Sequence, residues 1–237
     1  MIEPEPRNLL SATCELQGRA AEARELVRNR YRREEPELEN SLRISVDGLL
    51  AMLASRLSDE IPCTNEGTSY QIGLAASFIR SHYLIVDLVM NGDLIESLSL
   101  VRKQLESLAR MHELKDKPLQ KVLKKTPNVQ NALKGEAGRL YGTLSEVAHF
   151  STPRVSELMG VVSEDTRCGP SLIPRFNKQA FPCMDMETLI VMHFIPWLIE
   201  MLEAWHGDGL LDQYRKLYVT TLMIATEAGV LQVPQDS

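Results

Sequence analysis

Apolar side chains recur every three to four residues over long stretches of this chain, the period of one face of an α-helix. Residues 7–34 carry Leu9, Leu10, Cys14, Leu16, Ala20, Ala21, Leu26 and Val27 in that spacing, then a charged run that Pro36 stops. A second helix is predicted over 37–58 through Leu42, Val46, Leu49, Leu50, Leu53 and Leu57, followed by a loop over 59–68. Residues 70–90 are apolar nearly all round, which predicts a central, buried helix. Ser69 is its expected N-cap, and Asn91-Gly92 its left-handed C-cap. Asp93 is the expected cap of the next helix, 94–114, antiparallel to the first across a tight turn. Pro118 and Pro127 break 115–134, leaving room for one short helix. A helix over 136–150 stops before Pro153, and two short apolar runs around Cys168-Gly169-Pro170 predict a small hairpin or an irregular lid over 158–176. Helices over 184–205, with Pro196 as a kink point, and 209–228 complete the pattern before a frayed tail.

The expected fold is therefore all-α. About four core helices (70–90, 94–114, 136–150, 184–205) form a bundle, with helices added at both ends and a small insertion near 158–180. The expected organisation is an N-terminal helical pair, 1–68, packed on a bundle formed by 69–237. Apolar residues at 44% are enough for a core, which excludes global disorder, and aromatics at only 5% favour helix over strand. Cys14, Cys63, Cys168 and Cys183 form no CxxC and are too scattered for a disulfide framework, which points to a reducing compartment. The segment MIEPEPRNLL has neither a basic nor an apolar signal region. The longest apolar run, Leu189 to Ile199, is interrupted by His193 and Pro196 and is short of a bilayer span. The expectation is a cytoplasmic protein with no membrane segment.

Charge sharpens the picture. The chain carries -6, yet residues 101–180 hold 14 Lys+Arg against 8 Asp+Glu, a local +6. Lys115, Lys117, Lys121, Lys124 and Lys125 lie in this part. A basic patch of this kind suits RNA, a nucleotide or an acidic protein surface; the alternative is a solvated loop with lysines for solubility.

Candidate chemistry concentrates in Gly138–Pro153, GRLYGTLSEVAHFSTP. On a helix, Gly138, Gly142, Ser145 and His149 fall along one edge. A glycine inside a helix costs about 1 kcal/mol against alanine, so such an edge is expected to admit a second helix or a ligand. Upstream, Arg102 and Glu106 stand one turn apart on another predicted helix. They read either as a boundary salt bridge or as an inward guanidinium, oriented by Glu106, with donors for phosphate or carboxylate. His149 reads either as a core hydrogen-bonding residue or as a proton carrier. If the two helices pack, Arg102, Glu106, Tyr141, Ser145 and His149 share one polar pocket. Ser145 lacks a base-and-orienter pair and is not expected to be a nucleophile. Candidate catalytic residues are thus His149, Arg102 and Glu106; candidate ligand-binding residues are Tyr141, Ser145, Lys121, Lys124, Lys125 and Arg139. No metal or cofactor is expected: His112-Glu113 lacks the second histidine of HExxH, and neither phosphate-loop signature is present. His82, His193 and His206 have no metal-ligand spacing and read as structural; Met184, Met186, Met192 and Met201 read as core filling.

The pair Arg102-x3-Glu106 followed by Tyr141-x2-Leu144-Ser145-x3-His149-x-Ser151 resembles a large uncharacterised group of bacterial helical-bundle proteins considered HEPN-like (higher eukaryotes and prokaryotes nucleotide-binding). The resemblance spans roughly residues 70–205. It implies a four- or five-helix bundle, often dimeric, of a kind that recurs in toxin–antitoxin and antiviral systems. Many HEPN proteins are metal-independent RNases whose Arg-x(4–6)-His motif is completed across the dimer. Here the positions that arginine needs before His149 hold Gly142, Thr143 and Leu144, and no other histidine is preceded by the motif either. The resemblance thus implies a cytosolic, homodimeric protein that binds RNA, a nucleotide or a protein partner in bacterial defence, toxin–antitoxin function or stress response. An atypical RNase using His149 and Arg102 is the first alternative, and a purely structural interaction protein the second.

Overall fold

Local chemistry sets the helix ends in the computed structural model, which describes residues 9–57, 61, 65–133, 136–164, 167–206 and 211–231. The first helices are α1 (Leu9–Glu34), α2 (Glu37–Arg56), α3 (Glu66–Asn91) and α4 (Leu94–Asp116). Asn65, rather than Ser69, caps α3: its side chain accepts from the Thr68 amide at 2.9 Å, adding a turn ahead of the expected start. Gly92 closes α3 at φ 83°, and a Cβ there would lie 2.9 Å from the Arg175 carbonyl oxygen. Asp93 stands at the N-cap position of α4, yet its carboxylate makes no capping bond. It accepts instead from Arg24 of α1 at 2.8 Å, because a charged donor outcompetes a neutral amide.

Two single-turn helices, α5 (Leu119–Val122) and α6 (Val129–Ala132), fill the proline-broken segment where one was expected. They lead to α7 (Glu136–Ala148) and a 3-10 turn over Pro153–Met159. The insertion is then a hairpin: β1 (Val161–Glu164) pairs antiparallel with β2 (Arg167–Pro170), Val161 opposite Pro170. The chain finishes with α8 (Ala180–His206) and α9 (Asp212–Glu227). The architecture is all-α apart from this two-stranded ribbon. Residues 59, 60 and 62–64 of the expected loop at 59–68, and the tail 232–237, lie outside the described residues.

The most deeply buried helix is α8, not the 70–90 helix expected from its composition. Residues Leu189 to Phe194 of α8 are enclosed except at His193, whereas α3 leaves Tyr83 and Leu84 half in water. The α2 residues Leu42, Val46, Leu49, Leu50 and Leu53 join the same apolar cluster as α3, α4 and α8. α8 also runs unbroken through His193 and Pro196, so the interrupted apolar run belongs to a 27-residue helix. By length and composition, α3 and α8 are both able to cross a membrane, a test that core helices also pass; in α8, 61% of the apolar stretch is buried within the protein. Pro196 lacks the N–H that would bond the Met192 carbonyl. The Tyr218 hydroxyl of α9 takes its place, donating to that carbonyl at 2.8 Å.

Three helices are tied by buried ions. His82 of α3 lies 2.8 Å from Glu187 of α8 through Nδ1 and 2.8 Å from Asp47 of α2 through Nε2. His82 and Glu187 are all but sealed from solvent. Burial opposes the charged imidazole, but the two carboxylate hydrogen bonds outweigh it and raise the His82 pKa from 6.5 to about 9. Arg43 continues the alternation, pairing with Glu35 at 2.8 Å and Asp47 at 3.7 Å.

Two outcomes follow for stability. Replacing His82 by Ala strands two carboxylates and is expected to cost about 3–5 kcal/mol in urea unfolding. Because the folded pKa of about 9 exceeds the unfolded 6.5, this stabilisation is complete below pH 6.5 and fades as pH rises through 9; a wild-type stability flat from pH 6 to 10 contradicts it. Tyr218→Phe orphans the Met192 carbonyl and should cost about 1–3 kcal/mol, with the midpoint of thermal unfolding as readout.

Candidate functional site

The buried stripe of α4 is Leu98, Val101, Leu105, Leu108 and Ala109. Arg102 and Glu106 border that stripe, which leaves them half-buried rather than enclosed. α7 packs on this flank of α4 through Leu144 and Val147, with Tyr141 at the edge of the contact. Burying those side chains brings the polar edges of both helices together.

The result is a connected polar cluster. Arg102 Nη1 contacts His149 Nε2 at 2.8 Å, and Nη2 donates to the Tyr141 hydroxyl at 3.2 Å. Tyr141 in turn donates to Glu106 Oε1 at 2.9 Å. That same oxygen lies 3.2 Å from Arg102 Nε, an ion-pair distance without hydrogen-bond alignment, so Nε is a buried donor with no hydrogen bond. The guanidinium carbon sits 5.3 Å from the centre of the Tyr141 ring. The Tyr141 hydrogen bond raises the Arg102 pKa, against the effect of burial, and the Glu106 charge adds to it.

This geometry assigns the His149 tautomer. A guanidinium only donates, so Nε2 accepts and the imidazole is unprotonated at that atom. His149 is exposed, immediately after the end of α7, and its ring meets Arg102 rather than the core.

Ser145 lies between Tyr141 and His149 on α7, half-buried. At Gly142 the glycine edge does not receive a helix, since Gly142 is exposed and a Cβ there would meet nothing within 4 Å; the surroundings of Gly138 lie outside the described residues. Leu144 and Val147 are the buried residues of α7 instead, so the packing explanation for Gly142 fails and the helix is open to solvent at that position. Arg139 is exposed on α7. Lys121, Lys124 and Lys125 are exposed around α5 and are not drawn into the Arg102 cluster.

What fixes the lysine segment is Arg110, which the sequence reading did not single out. Arg110 is buried, and its terminal nitrogens donate to the carbonyls of Val122 and Lys125 and to Glu113. It lies eight residues beyond Arg102, about 12 Å along the axis of α4 and roughly 80° further round it. Asp47 and Glu187 were also missed, although each is an acid set within an apolar run, a legible sign of a buried partner. Among the described residues, no three His, Cys, Asp or Glu side chains converge to hold a metal ion.

Tyr141→Phe removes the hydroxyl bridge between Glu106 and Arg102. The expected cost is about 1–2 kcal/mol in chemical denaturation, with the α-helical content unchanged; a neutral substitution shows that the bridge does not order the cluster. Comparison with family models, with curated proteins and with solved structures finds no match to this chain.

Proposed function

We propose that the α4–α7 edge binds a phosphate-bearing anion, with Arg102 as the cation that grips it. One observation carries this reading: both terminal nitrogens of Arg102 rest on neutral acceptors, the His149 ring and the Tyr141 hydroxyl. A phosphate or carboxylate offers the guanidinium an opposite charge and a two-point, fork-to-fork geometry that neither neutral acceptor supplies, so an incoming anion displaces these two. Glu106 holds Arg102 in place from the third nitrogen without occupying the fork. The local +6 of residues 101–180 supports an anionic ligand, with exposed Arg139 and Lys121, Lys124 and Lys125 as the wider attracting field.

The wider reading is a HEPN-like, cytoplasmic, homodimeric protein that binds RNA, a nucleotide or a protein partner in bacterial defence, toxin–antitoxin function or stress response. It is supported by the Arg102-x3-Glu106 and Tyr141–His149 motifs and by their helices being neighbours. A second reading, a metal-independent RNase, is favoured by the His149 lone pair: a phosphate that draws Arg102 away frees Nε2 to accept a proton. It predicts RNA cleavage in chelator that His149→Ala abolishes.

The test of the binding reading is affinity for inorganic phosphate and short RNA at low and moderate salt. Arg102→Ala is expected to weaken both at least tenfold and to flatten the salt dependence of RNA binding. Equal affinity in wild type and variant ends the reading.

A further inference from the structure

The irregular stretch between β2 and α8 lies against α1, and two glycines fix it there. A Cβ on Gly92 would come within 2.9 Å of the Arg175 carbonyl oxygen, and one on Gly160 within 3.2 Å of the Arg175 Cβ. Both glycines hold a positive φ, at 83° and 74°. Arg175 is thus pinned through its backbone while its side chain stays exposed. Between this stretch and α1 opens a cleft of about 600 Å³. Leu26, Val27, Pro174 and Phe176 supply its apolar lining; Arg30, Arg175 and Lys178 supply its charge, and no carboxylate lines it. A second cleft, of about 750 Å³, shares Ala23, Leu26, Pro174 and Arg175 with the first and continues over Leu16 and Leu172, which are 53% and 89% exposed. Arg19 and Glu22 line only that second part.

Three cations without an acid stand out in a chain of net charge -6. Neighbouring arginines of α1 are neutralised, Arg24 by Asp93 and Arg28 by Asp87. Among the described residues, neither Arg175 nor Lys178 has such a partner. Arg30 is held in place: its guanidinium lies over the Phe176 ring at 4.3 Å and its Nε donates to Glu34 at 2.7 Å. That leaves both terminal nitrogens for an incoming acceptor. Like charges gathered on apolar surface repel one another, and a bound anion relieves the repulsion. A bare inorganic ion would leave Leu26 and Leu172 in water, whereas an apolar body covers them.

We propose that this cleft binds a small aliphatic carboxylate, its head on Arg30, Arg175 and Lys178 and its chain along α1 toward Leu16. The paired nitrogens of a guanidinium match the two carboxylate oxygens, and Lys178 adds charge without direction. The second negative charge of a phosphate monoester would be desolvated against apolar surface with no further donor. Leu16 stands ten residues before Leu26, about 15 Å along the helix axis, which suits a medium-length chain better than a short one. No residue of α4 or α7 lines either cleft, so this site is independent of the Arg102 cluster.

The experiment is calorimetry on the full chain with butanoate, octanoate, decanoate, 1-octanol and octyl phosphate. Octanoate is expected to bind at least tenfold more tightly than butanoate, from a gain of about twofold per added methylene in a half-open cleft, and at least tenfold more tightly than 1-octanol. The double variant Arg175→Gln, Lys178→Gln should erase the preference over 1-octanol with the thermal midpoint unchanged, because both side chains are exposed. Leu26→Ser should weaken octanoate and leave butanoate as it was. Arg102→Ala should bind octanoate like wild type; a loss there overturns the placement on α1. Equal affinity for octanoate and 1-octanol, or no binding of octanoate and decanoate, overturns the proposal. Tighter binding of octyl phosphate overturns the carboxylate head, and a leucine-ending peptide that displaces decanoate at lower concentration overturns the small-molecule ligand.

Discussion

α4 is the element on which the rest of the structure depends. Its apolar stripe is covered by α3, α7 and α8, and this burial fixes the rotation of the helix about its own axis. A change in that rotation would move a leucine into water, so the polar edge beside the stripe is held as firmly as the core. Arg102, Glu106 and Arg110 follow at successive fourth positions and fan round the helix from that edge by roughly 40° each. One packing decision therefore places the candidate anion-binding cation, its carboxylate support and the arginine that ties down the lysine segment.

The molecule holds two histidines in opposite electrostatic settings. His82 lies between Asp47 and Glu187 in the interior, where the carboxylates favour its charged form and use both ring nitrogens. Nothing is left for a substrate to address, and the role is cohesion between α2, α3 and α8. His149 is exposed and meets a cation, which demands an unprotonated nitrogen and leaves the contact exchangeable. The same side chain is a rivet in one place and a reporter of Arg102 in the other, and the difference lies wholly in the charge of the neighbours.

Helical periodicity made most of the fold legible: α1, α2, α4, α8 and α9 lie close to where apolar spacing places them, and the left-handed end of α3 was readable from Asn91-Gly92. Starts and stops were less legible. Asn65 and Ser69 are both good caps, and only packing decides between them. Composition misplaced the central helix because the apolar surface of α3 includes Leu84, which remains half exposed, whereas His193 and Pro196 disguised the continuity of α8. Within the site, one-turn spacing was enough to put Arg102 beside Glu106, and Tyr141 at the border of the edge that carries Ser145 and His149. The direction of the glycine edge was not, since it depends on which side of α7 meets α4.

The central claim is that Arg102 rests on neutral acceptors and passes to an anion when one arrives. Nitrogen-edited NMR of the His149 ring reads this directly, because Nε2 reports whether it accepts a hydrogen bond. At neutral pH the free protein should show Nε2 unprotonated, and added nucleotide should shift this resonance as Arg102 withdraws, with no such response in Arg102→Ala. A His149 ring protonated at Nε2 in the free protein, or one indifferent to nucleotide, contradicts the account.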